Sequence, residues 1–293
     1  MALKTRAERV GDVFIYAILI IFAAFCIYPL IYIFSNAISS PDAVKRMEVV
    51  LWPIGFSLES FRYIVEHEYL GISYLNSFFY TIAGTVWQLL WTTIGAYVLS
   101  RKYLIGRNAM MFLIWFTMMF SGGLIPLYLV VNSLGMVGTR WALIIPCAVS
   151  QYYLIIMKTS MQELPAELEE SAKIDGANSL TVMMRIILPV SIPTIMTIAL
   201  FFAVGRWNSY FDAIIYLRDK AMYPLQAILR ELLVTFTDKS TDGGTMAGDY
   251  QKNFSTLGFR CATILVSLIP VMIAYPFVQK YFVKGVMIGS IKG

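Results

Sequence analysis

The chain has 293 residues, of which 58% are hydrophobic and 14% charged, with a formal net charge of +5. Its mean hydropathy is +0.69. About a quarter of the residues in a typical soluble domain are charged, so this composition excludes a soluble protein and predicts one embedded in a bilayer. Cys26, Cys147 and Cys261 are far apart, and His67 is the single histidine. These residues give no disulfide framework, and they argue against a metal centre or a histidine-based catalytic triad.

Six apolar stretches indicate the fold class. A helix that crosses a bilayer needs about 20 apolar residues, and the stretches that meet or approach this length are 13–33, 77–99, 110–131, 142–157, 186–204 and 262–278. We therefore predict an all-α, polytopic membrane protein with six transmembrane helices, formed by a single domain over residues 1–293. In the third stretch, Gly122 and Gly123 followed by Pro126 predict an interrupted helix.

Lysine and arginine residues predict the orientation of these spans. Short loops rich in these residues are cytoplasmic, and six spans place both termini on the same side as the loop after the second span. The basic residues of these three regions are Lys4, Arg6, Arg9, Arg101, Lys102, Arg107, Lys280, Lys284 and Lys292. We predict cytoplasmic termini and external loops at about 35–75 and 206–261. The first apolar run is too long for a signal-peptide core, so we expect it to be retained.

A polar segment at about 158–185 separates the predicted fourth and fifth spans. Pro165 suits the first turn of a helix, and the acidic residues beside it favour the positive end of the helix dipole. Gly176 permits either a left-handed turn or a close backbone approach, and a second short helix is expected to begin near Asn178 or Ser179. The segment therefore predicts a compact hairpin of two short helices. An ordinary solvated hairpin is the alternative interpretation.

The residue order in this hairpin resembles a known docking element. The hairpin contains Glu170-Ser171-Ala172-Lys173-Ile174-Asp175-Gly176-Ala177, followed by Ile186-Ile187-Leu188-Pro189. This pattern resembles the loop by which permease subunits of binding-protein-dependent ABC importers bind their ATPases. Other runs, in the same order, are similar to carbohydrate-uptake permeases of the maltose-transporter type; they are 74–77, 96–101, 125–128, 134–139, 144–146, 207–208 and 285–293.

The resemblance implies a function and a set of partners. The chain would be the permease subunit of an ATP-driven importer that moves a sugar, expected to be an oligosaccharide, from an extracytoplasmic solute-binding protein into the cytoplasm. A second, similar permease chain, two ATP-binding subunits and the lipids of a bacterial inner membrane are implied, and no nucleic acid. The chain has no G-x-x-x-x-G-K-[ST] phosphate loop, so ATP and magnesium would be bound by the partner subunits. We expect no catalytic residue, cofactor or metal in this chain. The expected ATPase-coupling residues are Glu170, Ser171, Ala172, Asp175, Gly176 and Ala177.

A path for a sugar requires hydrogen-bonding groups and flat aromatic faces. Such groups lie in or near the middle and outer parts of the predicted spans, and the candidates are Tyr128, Gln151, Tyr152, Trp207, Asn208 and Tyr210. Two other interpretations remain open for them. Tryptophan and tyrosine are enriched at both faces of a bilayer, and glutamine in a span often joins neighbouring helices.

One polar stretch departs from the maltose-type pattern. Residues 235–259 are rich in glycine, aspartate, serine and threonine, and this insertion resembles the subset of these permeases that serves complex or acidic saccharides, including the alginate importer. A loop without a substrate role is the alternative. The predicted mouth of the protein also carries basic residues that could attract carboxylates.

Two other functional classes were weighed against this interpretation. A stand-alone secondary carrier or channel needs ionisable groups that face the bundle interior, and no charged residue lies at the centre of a predicted span. A membrane-embedded enzyme needs a cluster of acids with histidine or a metal at the membrane face, and the acids near Glu167 have no such companion. Both classes are therefore disfavoured.

Overall fold

The computed structural model describes residues 6–241 and 255–290. Within these ranges every regular element is helical, apart from one isolated antiparallel bridge between Ser39 and Phe56, which confirms the predicted all-α class. The α-helices are α1 (Arg6–Ala37), α2 (Pro41–Lys45), α3 (Glu59–Val65), α4 (Leu70–Ser100), α5 (Arg107–Met119), α6 (Leu124–Ser133), α7 (Gln151–Gln162), α8 (Glu167–Ile174), α9 (Ser179–Val182), α10 (Leu188–Trp207), α11 (Phe211–Tyr216), α12 (Leu225–Thr241) and α13 (Thr256–Ser290).

The chain forms two compact units, one of residues 1–68 and 229–270 and the other of residues 69–228 and 271–293. In the first unit, the segment after α1 folds back on itself. The Ser35 hydroxyl donates to the Leu51 carbonyl at 2.7 Å, and the Ser40 amide donates to the Ile54 carbonyl at 3.0 Å. Phe259 of α13 is fully buried beside Tyr63 of α3, with their rings edge to face at 5.7 Å.

Within the described ranges, four helices are long and apolar enough to cross a membrane, and they contain the predicted first, second, fifth and sixth spans. The helical stretches that meet this test are Gly11–Ala37, Leu70–Ser100, Ser179–Trp207 and Thr256–Ile273. None of the residues in the most apolar part of the first stretch is buried. The apolar surface of α1 is therefore open to lipid or to another chain.

The third predicted span is broken, as its glycines indicate. Helices α5 and α6 together are apolar enough to cross a membrane, but they meet at an angle of 114°. Gly123 has a positive φ of +84° with an extended ψ of −178°, a combination that glycine adopts without steric cost. The span count rises to five if this bent pair forms one span.

The fourth predicted span, 142–157, is not one helix. A 3₁₀ turn at Arg140–Leu143 is followed by irregular backbone, and α7 begins only at Gln151 and has 12 residues. Pro146 lies in the interruption, and a proline lacks the amide hydrogen that a continuing helix needs. The six predicted spans thus correspond to four long helices, one bent pair and one interrupted segment.

The second unit is organised around three helices, because α4 packs on both α10 and α7. The contact faces contain small residues, which allow the helix backbones to approach closely. Close packing is important here because the hydrophobic effect does not drive helices together within lipid. A Cβ atom on Gly95 of α4 would lie 3.0 Å from Leu154 Cδ1 of α7. Met157 of α7 and Ile198 of α10 are buried in the same apolar cluster.

Part of the polar stretch at 235–259 falls within α12 and α13. Helix α12 continues to Thr241, so the insertion begins as helix, and Phe259 at its end is fully buried. Residues 242–254 of this stretch, and residues 291–293 of the predicted closing segment, lie outside the described residues.

Candidate functional site

The polar segment after α7 folds into the predicted pair of short helices, which we name the α8–α9 hairpin (Glu163–Ile187). Pro165 lies two residues before α8, and its carbonyl accepts from the Leu168 amide at 3.3 Å. Gly176 has φ +81°, and a Cβ atom there would meet nothing within 4 Å. Of the two possible roles of this glycine, the structure therefore selects the left-handed turn. The Asn178 side chain caps α9 by accepting from the Thr181 amide at 2.8 Å.

The inner face of the hairpin is held by Glu169. Its carboxylate forms an ion pair with Arg101, just after α4, and another with Lys173 at 3.0 Å. The Tyr103 hydroxyl donates to the same carboxylate at 3.2 Å. Nearby, the Tyr97 hydroxyl donates to the Ser179 carbonyl at 3.0 Å. We name the group formed by Arg101, Glu169, Lys173 and Tyr103 the Glu169 clamp.

The charges of this clamp compensate one another. Burial alone would raise the pKa of Glu169, but the hydrogen bond from Lys173 and the charges of Arg101 and Lys173 outweigh burial and leave that pKa below its usual value. The same carboxylate raises the pKa of Lys173. Both partners of the Arg101–Glu169 pair are largely buried, with 12% and 11% of their side chains exposed. Removal of either partner would strongly destabilise the fold, because the remaining charge would be buried without a counter-charge.

The hairpin is also continuous with the helices that would line a path. Val182 at the end of α9 and Ile187 beyond it are buried with Tyr97 of α4 and Met161 of α7. A π-helical turn at Met183–Ile187 leads directly into α10. Side-chain packing therefore joins the hairpin to α4, and the backbone joins it to α10.

The outer face of the hairpin is open. Glu170, Ser171 and Asp175 are exposed, and Ile174 is 87% exposed. Ile174 thus adds an apolar group to the otherwise polar outer face of the hairpin. Of the predicted coupling residues, Ala172 is buried against the apolar core and Ala177 is half-buried, so these two pack the hairpin and the others present its surface.

A second polar cluster in the same unit lies between α10 and α4. Helix α10 continues beyond the predicted end of the fifth span, and Arg206 near its end is half-buried. Its guanidinium donates to Gln88 Oε1 at 3.1 Å and to the Leu143 carbonyl at 2.8 Å, with the Cys147 carbonyl at 3.5 Å. We name Arg206, Gln88 and these two carbonyls the Arg206 cluster. Arg206 lies beyond the predicted fifth span, so no charged residue was expected at the centre of a span, but its long side chain brings a charge to Gln88 of α4.

The six candidate path residues lie on several elements. Tyr128 of α6 stacks on Tyr216 of α11, with ring centroids 6.1 Å apart. Gln151 and Tyr152 begin α7, and Tyr152 is 56% exposed. Trp207, Asn208 and Tyr210 follow Arg206 directly, and Trp207 is buried with its ring 5.4 Å from that of Phe78.

Sequence reasoning missed two of the central side chains. Glu169 was one of several acids in the first turn of α8, and its spacing of four residues from Lys173 was a signal for an ion pair on one helix face. No local pattern indicates its pairing with Arg101, which lies 68 residues earlier in the chain. Arg206 follows the predicted fifth span directly, but nothing in its neighbourhood indicates that Gln88 is its partner.

Comparison with known proteins places the chain in a family. Residues 92–288 match the family described as "Binding-protein-dependent transport system inner membrane component". The chain is 43% identical over 286 residues to the polygalacturonan/rhamnogalacturonan transport system permease protein YtcP of Bacillus subtilis, covering 98% of this chain and 99% of that protein. It is 41% identical to Protein LplC of the same organism over 290 residues, covering 99% of this chain and 97% of that protein.

A solved structure is similar over almost the full length. A chain in the crystal structure of a bacterial ABC transporter involved in the import of the acidic polysaccharide alginate superposes with a TM-score of 0.82 at 35% identity, covering 96% of this chain and 100% of that chain. The family match at residues 92–288 includes the α8–α9 hairpin, and the comparisons together confirm the resemblance found in the sequence. The chain belongs to the family of inner membrane components of binding-protein-dependent transport systems.

Proposed function

We propose that this chain is a permease subunit of an ATP-driven importer that carries a saccharide, specifically an acidic oligosaccharide, into the cytoplasm. The observation that carries the proposal is the agreement of two relatives that cover nearly the whole chain. One is a polygalacturonan/rhamnogalacturonan permease and the other belongs to an importer of the acidic polysaccharide alginate. Both names denote polymers with uronic acid units, each of which carries a carboxylate.

The proposed assembly contains a second, similar permease chain, two ATP-binding subunits and an external solute-binding protein. In this proposal the chain crosses the inner membrane six times, with the bent α5–α6 pair and the segment that includes α7 as the third and fourth spans. Both termini and the α8–α9 hairpin are then cytoplasmic. The basic residues of the short loop after α4 support this orientation.

The α8–α9 hairpin is the proposed contact with the ATPase. Its exposed Glu170 and Asp175 suit basic or amide donors in a groove, and Ile174 supplies an apolar anchor. Closure of an ATPase dimer would move the hairpin, and the Glu169 clamp would transmit this movement to α4. ATP binding would thus change the relative populations of two permease conformations, because the ATPases bind one of them more tightly.

Purification of the assembled complex tests the ATPase contact. Ile174→Asp introduces a charge at the proposed anchor, and we expect the ATPase subunits to be lost during purification in mild detergent. Met47→Asp is the matched control, since Met47 is also an exposed apolar residue, at 82% exposure, and lies in a predicted external loop. Equal retention of the ATPase in both variants would refute the proposed contact.

Transport by the complex in liposomes tests the substrate. We expect accumulation of a galacturonate oligomer that depends on ATP and on the solute-binding protein. Accumulation that continues without ATP would favour the stand-alone carrier or channel. Accumulation of a neutral oligomer alone would support the importer function and contradict the proposal of an acidic substrate.

A further inference from the structure

The Arg206 guanidinium has no anionic partner in the described part of the chain. Its partners are the neutral Gln88 side chain and the carbonyls of Leu143 and Cys147, and none of the ion pairs among the described residues includes it. A guanidinium has five N–H donors in a planar fork. Among the residues of 6–241 and 255–290 its positive charge therefore contacts only neutral oxygens, and donor capacity remains for a further ligand.

The Arg206 charge meets α4 well away from the ends of this helix. With a helical rise of 1.5 Å per residue, Gln88 lies about 18 Å from the Ser100 end of α4 and about 27 Å from its Leu70 end. Arg206 therefore contacts the middle third of a helix that is long and apolar enough to cross a membrane. An ionisable group that contacts the interior of such a helix is an indication of a functional site.

The helix opposite Arg206 is shaped to receive it. Gly84 of α4 faces the arginine, since a Cβ atom there would lie 3.1 Å from Arg206 Nε and 3.2 Å from its Cδ. Any larger residue at this position would displace the guanidinium. The arginine is thus held at a defined point by a glycine on one side and by carbonyl acceptors on the other.

Threonine hydroxyls extend the polar surface along α4. Thr81, Thr85 and Thr92 share one face of the helix with Gln88, because they are spaced three or four residues apart. Their hydroxyl oxygens are buried and have no hydrogen-bond partner among the described residues. A buried hydroxyl without a partner is unfavourable, so this face has hydrogen-bonding capacity that the chain itself does not use.

We propose that Arg206 binds a carboxylate of the transported saccharide beside Gln88 of α4, and that sugar hydroxyls reach the α4 threonines only in a conformation that exposes them. This inference rests on the proposed import function, and it deepens it by assigning a residue that distinguishes acidic from neutral sugars. An arginine pairs with a carboxylate through two parallel hydrogen bonds, whereas a neutral sugar unit presents no such charge. The role is one of selectivity within the path, distinct from the attraction of substrate by the external mouth.

The first test compares Arg206→Gln with the unmodified complex in liposomes, with a galacturonate oligomer and a neutral galactose oligomer of the same length as substrates. We expect the variant to reduce uronate transport by about tenfold relative to neutral transport. Arg140→Gln is the matched control, because Arg140 is an exposed arginine near the same interruption and is absent from the Arg206 cluster. An equal reduction for both sugars would make Arg206 a structural residue and overturn the inference while retaining the import function.

A second variant keeps Arg206 and gives it a carboxylate partner within the chain. Gln88→Glu places a carboxylate beside Arg206 Nε, so we expect a higher melting temperature together with a loss of uronate preference. This variant keeps the test decisive if Arg206→Gln fails to fold. A higher melting temperature with unchanged uronate preference would overturn the inference.

The thiol of Cys147 provides a readout besides transport. In a complex whose permease carries Cys26→Ala and Cys261→Ala, we expect the galacturonate oligomer to slow alkylation of Cys147, and we expect Arg206→Gln to remove this protection. Protection that is equal with the neutral oligomer would contradict a carboxylate site. Loss of the partner permease from the Arg206→Gln complex, independent of any sugar, would show instead that a carboxylate of that partner occupies the site.

Discussion

Two arginines of the same unit, Arg101 and Arg206, contact the same helix but differ in their partners, which are anionic for one and neutral for the other. Arg101 follows the end of α4 and forms an ion pair with the buried Glu169. Arg206 reaches the middle of α4 and contacts only neutral oxygens among the described residues. The first charge is compensated by a carboxylate of the chain, and the second has no such partner in the part of the chain that the structure describes.

This difference separates a structural contact from a candidate ligand site. A compensated, buried ion pair holds two segments in one arrangement, because separating the charges leaves each of them desolvated. An uncompensated charge retains the capacity to bind an anion that comes from outside. Changes at Arg101 should therefore affect coupling for every substrate, whereas changes at Arg206 should affect acidic substrates selectively.

The largest effect is expected from Gly176→Pro in the α8–α9 hairpin. Proline cannot adopt the φ of +81° found here, and it removes the amide that donates to the Lys173 carbonyl at 3.0 Å. We expect stimulation of ATP hydrolysis by loaded solute-binding protein to be lost for acidic and neutral sugars alike. Gly176→Ala is the milder control, because no atom lies near the added Cβ and the strain is only about 1–2 kcal/mol. Normal stimulation in the proline variant would refute the coupling role.

The next largest effect is expected when the Glu169 clamp loses its arginine. Arg101→Met leaves Glu169 buried with fewer partners, and the loss of a buried ion-pair member costs about 3 kcal/mol. We expect a lower melting temperature of the purified complex and weaker coupling for both sugars. The double variant Arg101→Met/Glu169→Met removes both charges and should recover part of the stability. No recovery would contradict direct pairing of these two side chains.

A smaller effect is expected at the outer face of the hairpin. Glu170 is exposed, so Glu170→Lys should leave the melting temperature of the isolated chain unchanged and weaken retention of the ATPase in mild detergent. Glu59→Lys, at an exposed acid of α3 in a predicted external loop, is the charge-matched control. If the ATPase withstands salt washing equally in both variants and transport is normal, the charge of Glu170 has no role in docking.

The smallest effect is expected from pH. The pKa of Glu169 is depressed in the folded protein, so its contribution to stability is present above the ordinary glutamate pKa of about 4.3 and is lost as the pH falls through the lower folded value. We expect the unmodified protein to be more stable than Glu169→Gln at pH 7, and the difference to shrink below about pH 4. Melting curves of both proteins between pH 7 and pH 3 measure this difference. A difference that is independent of pH would indicate that packing, and not charge, holds the clamp.

The local features of the hairpin were predictable because they depend on residues close in sequence. Gly176 marks the left-handed turn, and Asn178 caps the helix that follows, as their intrinsic preferences indicate. The break between α5 and α6 also follows from its glycines. The interruption of the fourth span could not be predicted from hydropathy alone. A window average measures how apolar a segment is, and it does not detect a break such as the one that includes Pro146.

The sequence by itself determined the membrane class, the helical fold and the family-specific hairpin, since composition, periodicity and local turn chemistry act over short distances. Only the tertiary structure decided which charges are neutralised. Glu169 meets Arg101 across 68 residues, and Arg206 meets Gln88 across 118. The physical reason is that compensation of a buried charge depends on groups within a few ångströms in space, and helix packing brings these groups together without regard to their separation along the chain.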